Sequence, residues 1–338
     1  PGGAEGLRAR LPRVAAALRT CAGHVAPLFA RAYGLPRTCA VALGSGDNPM
    51  THVLCPDGCW LLSLGSSLVV MAGTRTPRTV PGADASYDGC DRPFVLCCRT
   101  NGAQRWDAVA TVLHPHGENS EDDSKDDDDA HSAFEHAIAA ANAETAPQAT
   151  ARMMLWHTQP ETFPPSAWHQ AQPVRSAYAP TRAHDTVALV DSSLASLYLH
   201  AVRALGDRPR TLYLAGGPAQ CPALRTRIAA LWGCPVALVH PRLSPKHPLS
   251  SIFVCIFLSH ARSATEGASL GAALAGVATY RVCCRGEDEH TVLREIAGAA
   301  SSHVTVETPD PRLEAWFHEP QHGFLAQFEA FERKHLGL

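Results

Sequence analysis

Residues 39–70, CAVALGSGDNPMTHVLCPDGCWLLSLGSSLVV, contain two apolar segments that each run into a polar turn. The first segment, 39–43, predicts a strand that leads into the glycine turn 44–48. The second, 60–64, predicts a strand that breaks at 65–67 before an apolar return. The stretch therefore predicts two strands, each of which ends in a polar loop.

The polar groups in these two loops have the chemistry that phosphoryl transfer to an alcohol requires. Asp47 offers a carboxylate that can take a proton from a substrate hydroxyl. Gly65, Ser66 and Ser67 would expose backbone N–H groups that can cradle a phosphate. Each motif taken alone is more often a solvated turn or a simple hairpin loop, so that interpretation stays open beside the functional one.

The composition is that of an ordinary globular protein. With 338 residues, 46% of them apolar, the chain can bury a sizeable core as one large domain or two smaller ones. The formal net charge is −3, and no basic cluster indicates a nucleic-acid surface. Neither a signal-type segment nor an apolar run near the length of a membrane span is present, so we expect no membrane partner.

The cysteines do not follow a zinc-binding pattern. The chain has 12 of them, without a C-x-x-C motif and without histidines at zinc-ligand spacing. We interpret them as reduced, mostly buried thiols of a cytoplasmic protein. Those that stand close together in sequence are the pairs Cys97 and Cys98, Cys283 and Cys284, and the C-x-x-x-C pair Cys55 and Cys59.

Hydrophobic periodicity predicts alternating helices and strands along the rest of the chain. The periodic segment 7–34 predicts helix that ends at Gly34, since glycine commonly follows a helix C-terminus. One apolar stripe runs along 185–205 and predicts a long buried helix. Loops are predicted over 73–93 and over the proline-rich 159–180. Further helices are predicted over 106–113, 131–141, 290–300 and 311–335, and strands over 94–98 and 153–156.

An acidic segment at 118–131 interrupts this pattern. Its first part, ENSEDDSKDDDD, has eight acidic residues, one lysine and no apolar anchor, so we expect a disordered surface loop. His114 and His116 stand beside it and belong to a metal-binding residue type. Solvated loop histidines are nevertheless the favoured interpretation, and no metal-ligating residue is assigned.

Residues 210–241, RTLYLAGGPAQCPALRTRIAALWGCPVALVHP, predict a β-α-β unit with Gly216 and Gly217 after its first strand. Ligands of open α/β sheets bind at the carboxyl ends of the strands, where glycines let a nucleotide approach the backbone. Close packing remains the alternative explanation for the glycine pair. The strands are predicted over 211–214 and 236–239, and the helix over 222–231.

The segment 243–264 differs in composition from its surroundings. Two prolines precede an apolar run, 252–258, that has neither helical nor strand period. We interpret it as an insertion that either packs on the domain or does not belong to the mature protein. The small residues of 267–280, GASLGAALAGVATY, predict instead a helix suited to close packing.

In combination these motifs resemble the FGGY family of carbohydrate kinases, and most closely its eukaryotic-type D-xylulose kinases. The resemblance covers most of the chain, with gaps. The segments that carry it are GLRARLPRV, YGLP, GSGDNP, SLGSS, LCCRTNG, RWDAV, LAGGPAQ and GASLGAALAG. Each is short, and their specificity lies in the order in which they occur.

The resemblance implies an α/β fold. Members of that family have two ribonuclease-H-like, actin-like ATPase domains, between which ATP and the sugar meet. By this likeness residues 1–50 are the end of the N-terminal, sugar-binding domain, and residues 51–338 are the C-terminal, nucleotide-binding domain. The family's first half, including an Asp-x-Gly-Thr hairpin that handles Mg-ATP, has no matching segment in this sequence.

The resemblance also implies roles for individual residues. Asp47 matches the catalytic base that deprotonates the sugar hydroxyl, and Asn48 matches the neighbouring sugar-binding amide. The residues matched to ATP binding are Gly65, Ser66 and Ser67 of the hairpin that faces the phosphates, Trp106, and the adenosine-loop residues Gly216, Gly217, Pro218 and Cys221. Cys221 stands where the family usually has asparagine, and Ser66 where it usually has threonine.

The function that follows from the resemblance is ATP-dependent phosphorylation of D-xylulose to D-xylulose 5-phosphate, with ATP and Mg²⁺ as cofactors. Another FGGY sugar or polyol kinase, such as a glycerol kinase, is the first alternative. A non-catalytic nucleotide-binding fragment or pseudo-kinase is the alternative from a different class of protein.

Overall fold

The computed structural model describes residues 20–115, 123–144, 151–239, 267–301 and 304–337. At its centre is a seven-stranded sheet that carries helices on both faces. The strands are β1 (Cys21–His24), β2 (Ala40–Ala42), β3 (Trp60–Leu64), β4 (Leu68–Gly73), β5 (Asp84–Tyr87), β6 (Pro93–Arg99), β7 (Met154–Leu155), β8 (Val174–Arg175), β9 (Leu212–Ala215), β10 (Val236–Val239) and β11 (Val304–Glu307). The helices are α1 (Pro27–Tyr33), α2 (Asp47–His52), α3 (Ala103–Ala108), α4 (Asp123–Ala143), α5 (Arg182–Leu205), α6 (Pro222–Trp232), α7 (Gly267–Thr279), α8 (Glu289–Ser301), α9 (Pro311–His318) and α10 (Phe324–Leu336).

The sheet has the strand order β11-β10-β9-β3-β4-β6-β5. β3 pairs in parallel with β9, and β9 pairs in parallel with β10. The pairs β3–β4, β4–β6, β5–β6 and β10–β11 are antiparallel. The carboxyl ends of β3, β9 and β10 therefore share one edge of the sheet, which is where ligands of open α/β sheets bind.

Side chains of β3 alternate between two hydrophobic cores, as the period of a strand requires. Trp60, Leu62 and Leu64 pack on one face with residues of α5, α6, α9 and α10. Leu61 packs on the opposite face with residues 53–55, which follow α2, and with residues of α7 and α8. Since burying one such side chain contributes about 1.5–3 kcal/mol, a shift of register that reversed these faces would be strongly disfavoured.

The long helix α5 is buried along most of its length, as its apolar stripe predicts. Its N-cap is Thr181, whose side chain accepts a hydrogen bond from the His184 backbone N–H at 3.1 Å. Its C-cap is Gly206, which has the left-handed φ of 65° that favours glycine. Both ends are therefore encoded locally, while packing against the sheet stabilises the middle.

Most predicted elements are confirmed, with bounds that differ by a few residues. The β-α-β unit is present as β9, α6 and β10, with its two strands adjacent and parallel. The helix that begins at Gly267 and the end of α1 at Gly34, with φ of 65°, are confirmed as well. The remaining agreements are the strands β3, β4 and β6, the helices α3, α5 and α8, and the short strand β7.

Other predictions are wrong. β1 lies where helix was predicted within 7–34, because these residues pair with β2 in a separate antiparallel sheet. β5 interrupts the loop predicted over 73–93, because it pairs with β6. The helix predicted over 311–335 is two helices, α9 and α10, separated where Gly323 lies against the Glu319 backbone.

The acidic segment is also only partly as predicted. A disordered loop was expected over 118–131, but α4 begins at Asp123 and continues through the acidic residues. The buried residues Ala137, Ile138 and Ala141 anchor this helix in the core, where it packs against α5 and α6, and acidic residues are favourable near a helix N-terminus. The segment 243–264, predicted to be an insertion, lies outside the described residues, as does the part of the first predicted helix before residue 20.

Candidate functional site

The hairpin between β3 and β4 presents polar groups at the edge of the sheet. Leu64 and Leu68 are paired across it, and Gly65 N–H donates to the Ser67 carbonyl at 3.0 Å. Gly65 and Ser66 are exposed, whereas Ser67 is half-buried. The hairpin tip therefore offers a hydroxyl and backbone groups to a ligand.

The start of α3 holds this hairpin from one side. Ala103 N–H donates to the Gly65 carbonyl at 3.0 Å. A Cβ built on the preceding Gly102 would lie 2.4 Å from the Ser67 carbonyl carbon, closer than a side chain can come. Glycine at 102 is thus required for α3 to pack directly on the hairpin backbone.

The loop that follows β9 holds the hairpin region from the other side. Gly216 has a φ of 102°, and a Cβ built on it would lie 2.1 Å from the Leu64 carbonyl oxygen. Gly217 and Pro218 continue the loop and are half-buried. The structure therefore brings the predicted residues Gly65–Ser67 and Gly216–Pro218 together at the shared carboxyl edge of β3 and β9.

Trp106 and Cys221 lie in the core. Trp106 is 3% exposed, and its indole Nε1–H donates to the Ser193 hydroxyl of α5 at 3.1 Å. Cys221 is 1% exposed at the start of α6, and burial raises the pKa of its thiol. Neither side chain presents a surface to a ligand in this structure, and their roles in nucleotide binding remain predictions.

Asp47 and Asn48 open α2, a helix that the sequence had not indicated. Asp47 is the first residue of this helix, and its Oδ1 accepts the Asn48 backbone N–H at 2.8 Å. Asp47 is exposed and Asn48 is half-buried, so both polar side chains are accessible. Their sequence neighbour Pro49 is compatible with the first turn of a helix, where a backbone donor is not needed.

Close packing against α7 fixes the position of α2. A Cβ built on Gly271 of α7 would lie 1.7 Å from the carbonyl oxygen of Met50. Gly89 approaches the same residue from another side, where its Cβ would lie 2.6 Å from the Met50 sulfur. The small residues of 267–280 predicted close packing, and this packing is confirmed. It fixes the position of α2, the helix that carries Asp47.

A buried polar network at the end of α2 was not found by sequence reasoning. His52 Nδ1 lies 3.0 Å from Asp88 Oδ2, and Arg92 Nε donates to the same oxygen at 2.6 Å. Arg92 also donates to the backbone carbonyls of His52 and Cys55, at 2.9 and 2.7 Å. No local signal could have revealed it, because Asp88 stands 36 positions from His52 in the sequence.

Within the ranges that the structure describes, no helix is long and apolar enough to cross a membrane. No group of three or more His, Cys, Asp or Glu side chains in the same part of the chain is arranged to hold a metal ion.

No protein-family model and no curated protein matches this sequence, but solved structures match the fold. A xylulose kinase from Rhodospirillum rubrum superposes with a TM-score of 0.65 at 16% identity, covering 95% of this chain and 56% of that one. A ligand-bound xylulose kinase from Lactobacillus acidophilus gives 0.69 at 14% identity, with coverages of 97% and 58%. A gluconate kinase from Lactobacillus acidophilus gives 0.67 at 15%, with coverages of 96% and 57%.

At these identities the likeness establishes the fold. This chain has the α/β fold of those sugar kinases, so the predicted α/β fold class is confirmed. The chain spans between 56% and 58% of the length of these three kinases. The domain division at residue 50 and the roles of the site residues remain predictions.

Proposed function

We propose that this chain is part of an FGGY-type carbohydrate kinase, in which it supplies the nucleotide-binding domain and the catalytic base. The observation that carries the proposal is the hairpin Gly65–Ser67, held between Gly102 and Gly216 at the carboxyl edge of two parallel strands. Its tip is exposed in the place where α/β sheets bind ligands. Backbone N–H groups and hydroxyls in such a turn suit the oxygens of a nucleotide phosphate.

In the proposed reaction Asp47 acts as general base. Its exposed carboxylate accepts the proton of the sugar hydroxyl as that oxygen attacks the terminal phosphorus of ATP. Asn48 orients the sugar through its amide, and the hairpin donates hydrogen bonds to phosphate oxygens as negative charge redistributes over them. Close packing of Gly271 on Met50 supports the base by fixing the helix on which it lies.

We further propose D-xylulose as the acceptor, phosphorylated on its 5-hydroxyl. The support is the resemblance in the motifs GSGDNP and SLGSS, and the presence of xylulose kinases among the similar structures. A gluconate kinase and a glycerol kinase from Plasmodium falciparum have the same fold, so the acceptor needs a direct test.

Mg²⁺ would accompany ATP in this reaction. Proteins that act on nucleotides typically hold this ion through one or two carboxylates together with substrate phosphates. The described residues contain no preformed group of three or more ligating side chains, so most of its ligands would have to come from the nucleotide, water and the remaining half of the enzyme. The bound ion would neutralise phosphate charge, which is the contribution the side chains described above do not make.

Nucleotide binding is the sharpest test of the proposal. Calorimetric titration of the 338-residue chain with ATP should give binding that Ser66→Asp weakens at least about tenfold, because the new carboxylate repels phosphate at the hairpin tip. Thr76→Asp is the matched control, an exposed position beyond the other end of β4. Failure of the unmodified chain to bind ATP, or an equal loss in both variants, would contradict the proposal.

The acceptor is tested by product formation. Because the chain spans little more than half the length of the similar kinases, we expect it to bind nucleotide but to form no sugar phosphate when assayed alone. A form that includes the remaining half should phosphorylate D-xylulose in preference to gluconate and glycerol. ATP binding without turnover in that longer form would favour the non-catalytic alternative.

A further inference from the structure

Cys59, next to the buried network at the end of α2, lies outside the proposed kinase site. Its Sγ lies 3.9 Å from His52 Nε2, while the other ring nitrogen of His52 contacts Asp88 at 3.0 Å. His52 is 1% exposed and Asp88 is 0% exposed, whereas Cys59 is half-buried. A thiol, an imidazole and a carboxylate in this sequence of contacts have the arrangement that activates a cysteine nucleophile.

The carboxylate of this arrangement is ionised. Asp88 Oδ1 accepts backbone N–H groups of Cys90 and Arg92 at 2.8 and 3.0 Å, and Arg92 Nε donates to Oδ2. Burial acts to raise the pKa of Asp88, but the hydrogen bond from His52 and the charge of Arg92 outweigh it and lower that pKa. A charged partner at this depth favours the imidazolium form of His52.

His52 is accordingly protonated at neutral pH. Burial by itself lowers the pKa of His52, and the hydrogen bonds to Asp88 and Cys59 outweigh burial and raise that pKa to about 9. Its Nε2–H therefore points toward the sulfur of Cys59. An imidazolium beside a thiol stabilises the thiolate, which is the reactive form.

Cys55 provides a second thiol beside the first. Its backbone N–H donates to the His52 carbonyl at 3.1 Å, and its side chain is fully buried. The hydrogen bond with Cys55 is the largest influence on the pKa of Cys59. Together with the hydrogen bond to His52 it outweighs the effect of burial and lowers this pKa to about 6. Burial raises the pKa of Cys55, so one thiolate and one thiol lie side by side at neutral pH.

Among the described residues, Arg92 and Tyr213 also interact with this pair. Arg92 adds a positive charge that favours the Cys59 thiolate. Tyr213 of β9 approaches from the sheet, and its pKa is raised by burial and then by the two cysteines, so it is neutral. The thiolate is therefore paired with cations on the side of α2 and faces an uncharged phenol on the side of the sheet.

We propose that Cys59 is a hydroperoxide-sensitive thiolate and that Cys55 resolves its oxidised form to a disulfide. In the first step the Cys59 sulfur attacks one peroxide oxygen and the O–O bond breaks. The leaving hydroxide takes the Nε2 proton of His52 and departs as water, which leaves a sulfenic acid on Cys59. Cys59 has then lost two electrons, and the peroxide has gained them.

In the second step the Cys55 sulfur attacks the Cys59 sulfur. The new S–S bond forms as the Cys59 S–O bond breaks, and the hydroxide leaves with the Cys55 proton as a second water. This site does not depend on the proposed kinase function, since none of its groups is assigned to ATP or sugar. Its sequence signature is the C-x-x-x-C pair, for which the kinase motifs provide no role.

The first test follows the alkylation of each cysteine of the unmodified, fully reduced chain with iodoacetamide between pH 5 and 9, by peptide mass spectrometry. The alkylation rate of Cys59 should rise with a midpoint near pH 6, whereas the exposed Cys284, whose pKa is raised, should show its midpoint at a higher pH than an unperturbed thiol. At pH 6.5 the larger thiolate fraction, offset by the lower nucleophilicity of a low-pKa thiolate, predicts about a tenfold advantage for Cys59. A Cys59 midpoint above pH 8 would overturn the proposal.

The second test is oxidation of the same chain with one equivalent of hydrogen peroxide at pH 7. The peptide that contains both cysteines should lose two hydrogens, and this product should disappear in Cys59→Ser. In Cys55→Ser the sulfenic acid on Cys59 should persist and react with dimedone. Cys98→Ser, another half-buried cysteine, is the matched control and should still form the disulfide. Absence of both the disulfide and the dimedone adduct would overturn the proposal.

Discussion

Gly216 lies directly against the carbonyl oxygen of Leu64, at which a Cβ on residue 216 would come within 2.1 Å. Only glycine allows the loop after β9 to approach the end of β3 so closely, and its φ of 102° has the same requirement. This approach joins two sequence motifs that stand far apart. It also supplies the first test of the site.

We predict that Gly216→Ala destabilises the fold more than Gly206→Ala does. Both glycines have positive φ, but at Gly206 a Cβ would meet no atom of the described residues within 4 Å. Gly206→Ala should therefore cost about 1–2 kcal/mol of unfolding free energy from backbone strain alone. Gly216→Ala should cost at least about 2 kcal/mol more, as measured by urea unfolding. Equal losses would show that the loop can move away from Leu64.

A second prediction concerns the helix that carries the proposed base. Gly271→Ala would place a Cβ 1.7 Å from the Met50 carbonyl oxygen and should force α2 and α7 apart, at a cost of about 2 kcal/mol or more. Gly276→Ala on the same helix meets no described atom within 4 Å and should stabilise by up to about 1 kcal/mol, through helix propensity. Thermal unfolding of both variants checks the opposite signs. Stabilisation by both substitutions would contradict the contact.

The third prediction tests Asp47 as general base. In a form of the protein that phosphorylates D-xylulose, Asp47→Asn should lower turnover by about 10² to 10⁴, the usual contribution of a positioned base, with ATP affinity unchanged. Asp57→Asn is the matched control, since Asp57 is an exposed carboxylate in the turn between α2 and β3. The measurement is steady-state kinetics with varied ATP. Full turnover by Asp47→Asn would remove the assignment.

The fourth prediction concerns acid stability. Burial, followed by the charge of Arg99, lowers the pKa of His157 to about 2, and Arg99 Nη2 lies 2.6 Å from His157 Nε2. His157 thus stays neutral in the native state while the unfolded chain binds a proton near pH 6.5. His157 therefore does not change the unfolding free energy above pH 6.5. As the pH falls from there toward about 2, His157 progressively lowers the unfolding free energy, because only the unfolded chain binds the proton.

The expected size of this loss is about 1.4 kcal/mol per pH unit between pH 6 and 4 for this group. His157→Gln should remove that part of the slope, even if it lowers stability overall. His169→Gln, at an exposed histidine, should leave the slope unchanged. Unfolding by urea at several pH values measures both, and parallel slopes for His157→Gln and the unmodified chain would contradict the prediction.

Local patterns in the sequence determined much of the fold. Strands β3 and β4 follow from a run of apolar side chains with glycine and serine at the break, because hydrophobic period and turn preference act over a few residues. The helix ends at Gly34, Gly206 and Gly233 could be predicted for the same reason, because a left-handed φ favours glycine wherever it occurs. The β-α-β unit was likewise predicted from the sequence of residues 210–241 alone.

Pairing and packing with distant segments determined the secondary structure where the local sequence pattern was weak or misleading. Residues 21–24 continue a helical period, yet they form β1 because β2 provides hydrogen-bonding partners. β5 forms within a loop-like sequence because β6 lies beside it. Acidic residues from 123 onward become helical because the packed end of α4 nucleates the helix that they extend.

The sequence by itself thus determined most strands, most helices, the candidate base Asp47 and the hairpin residues, since these are properties of short segments. Only the tertiary structure decided what those residues contact. It placed Gly216 on Leu64, buried Trp106 against α5, and joined His52 to Asp88 and Cys59. Contacts of this kind depend on how the whole chain closes around its two cores, and no local pattern encodes a neighbour that arrives from a distant part of the sequence.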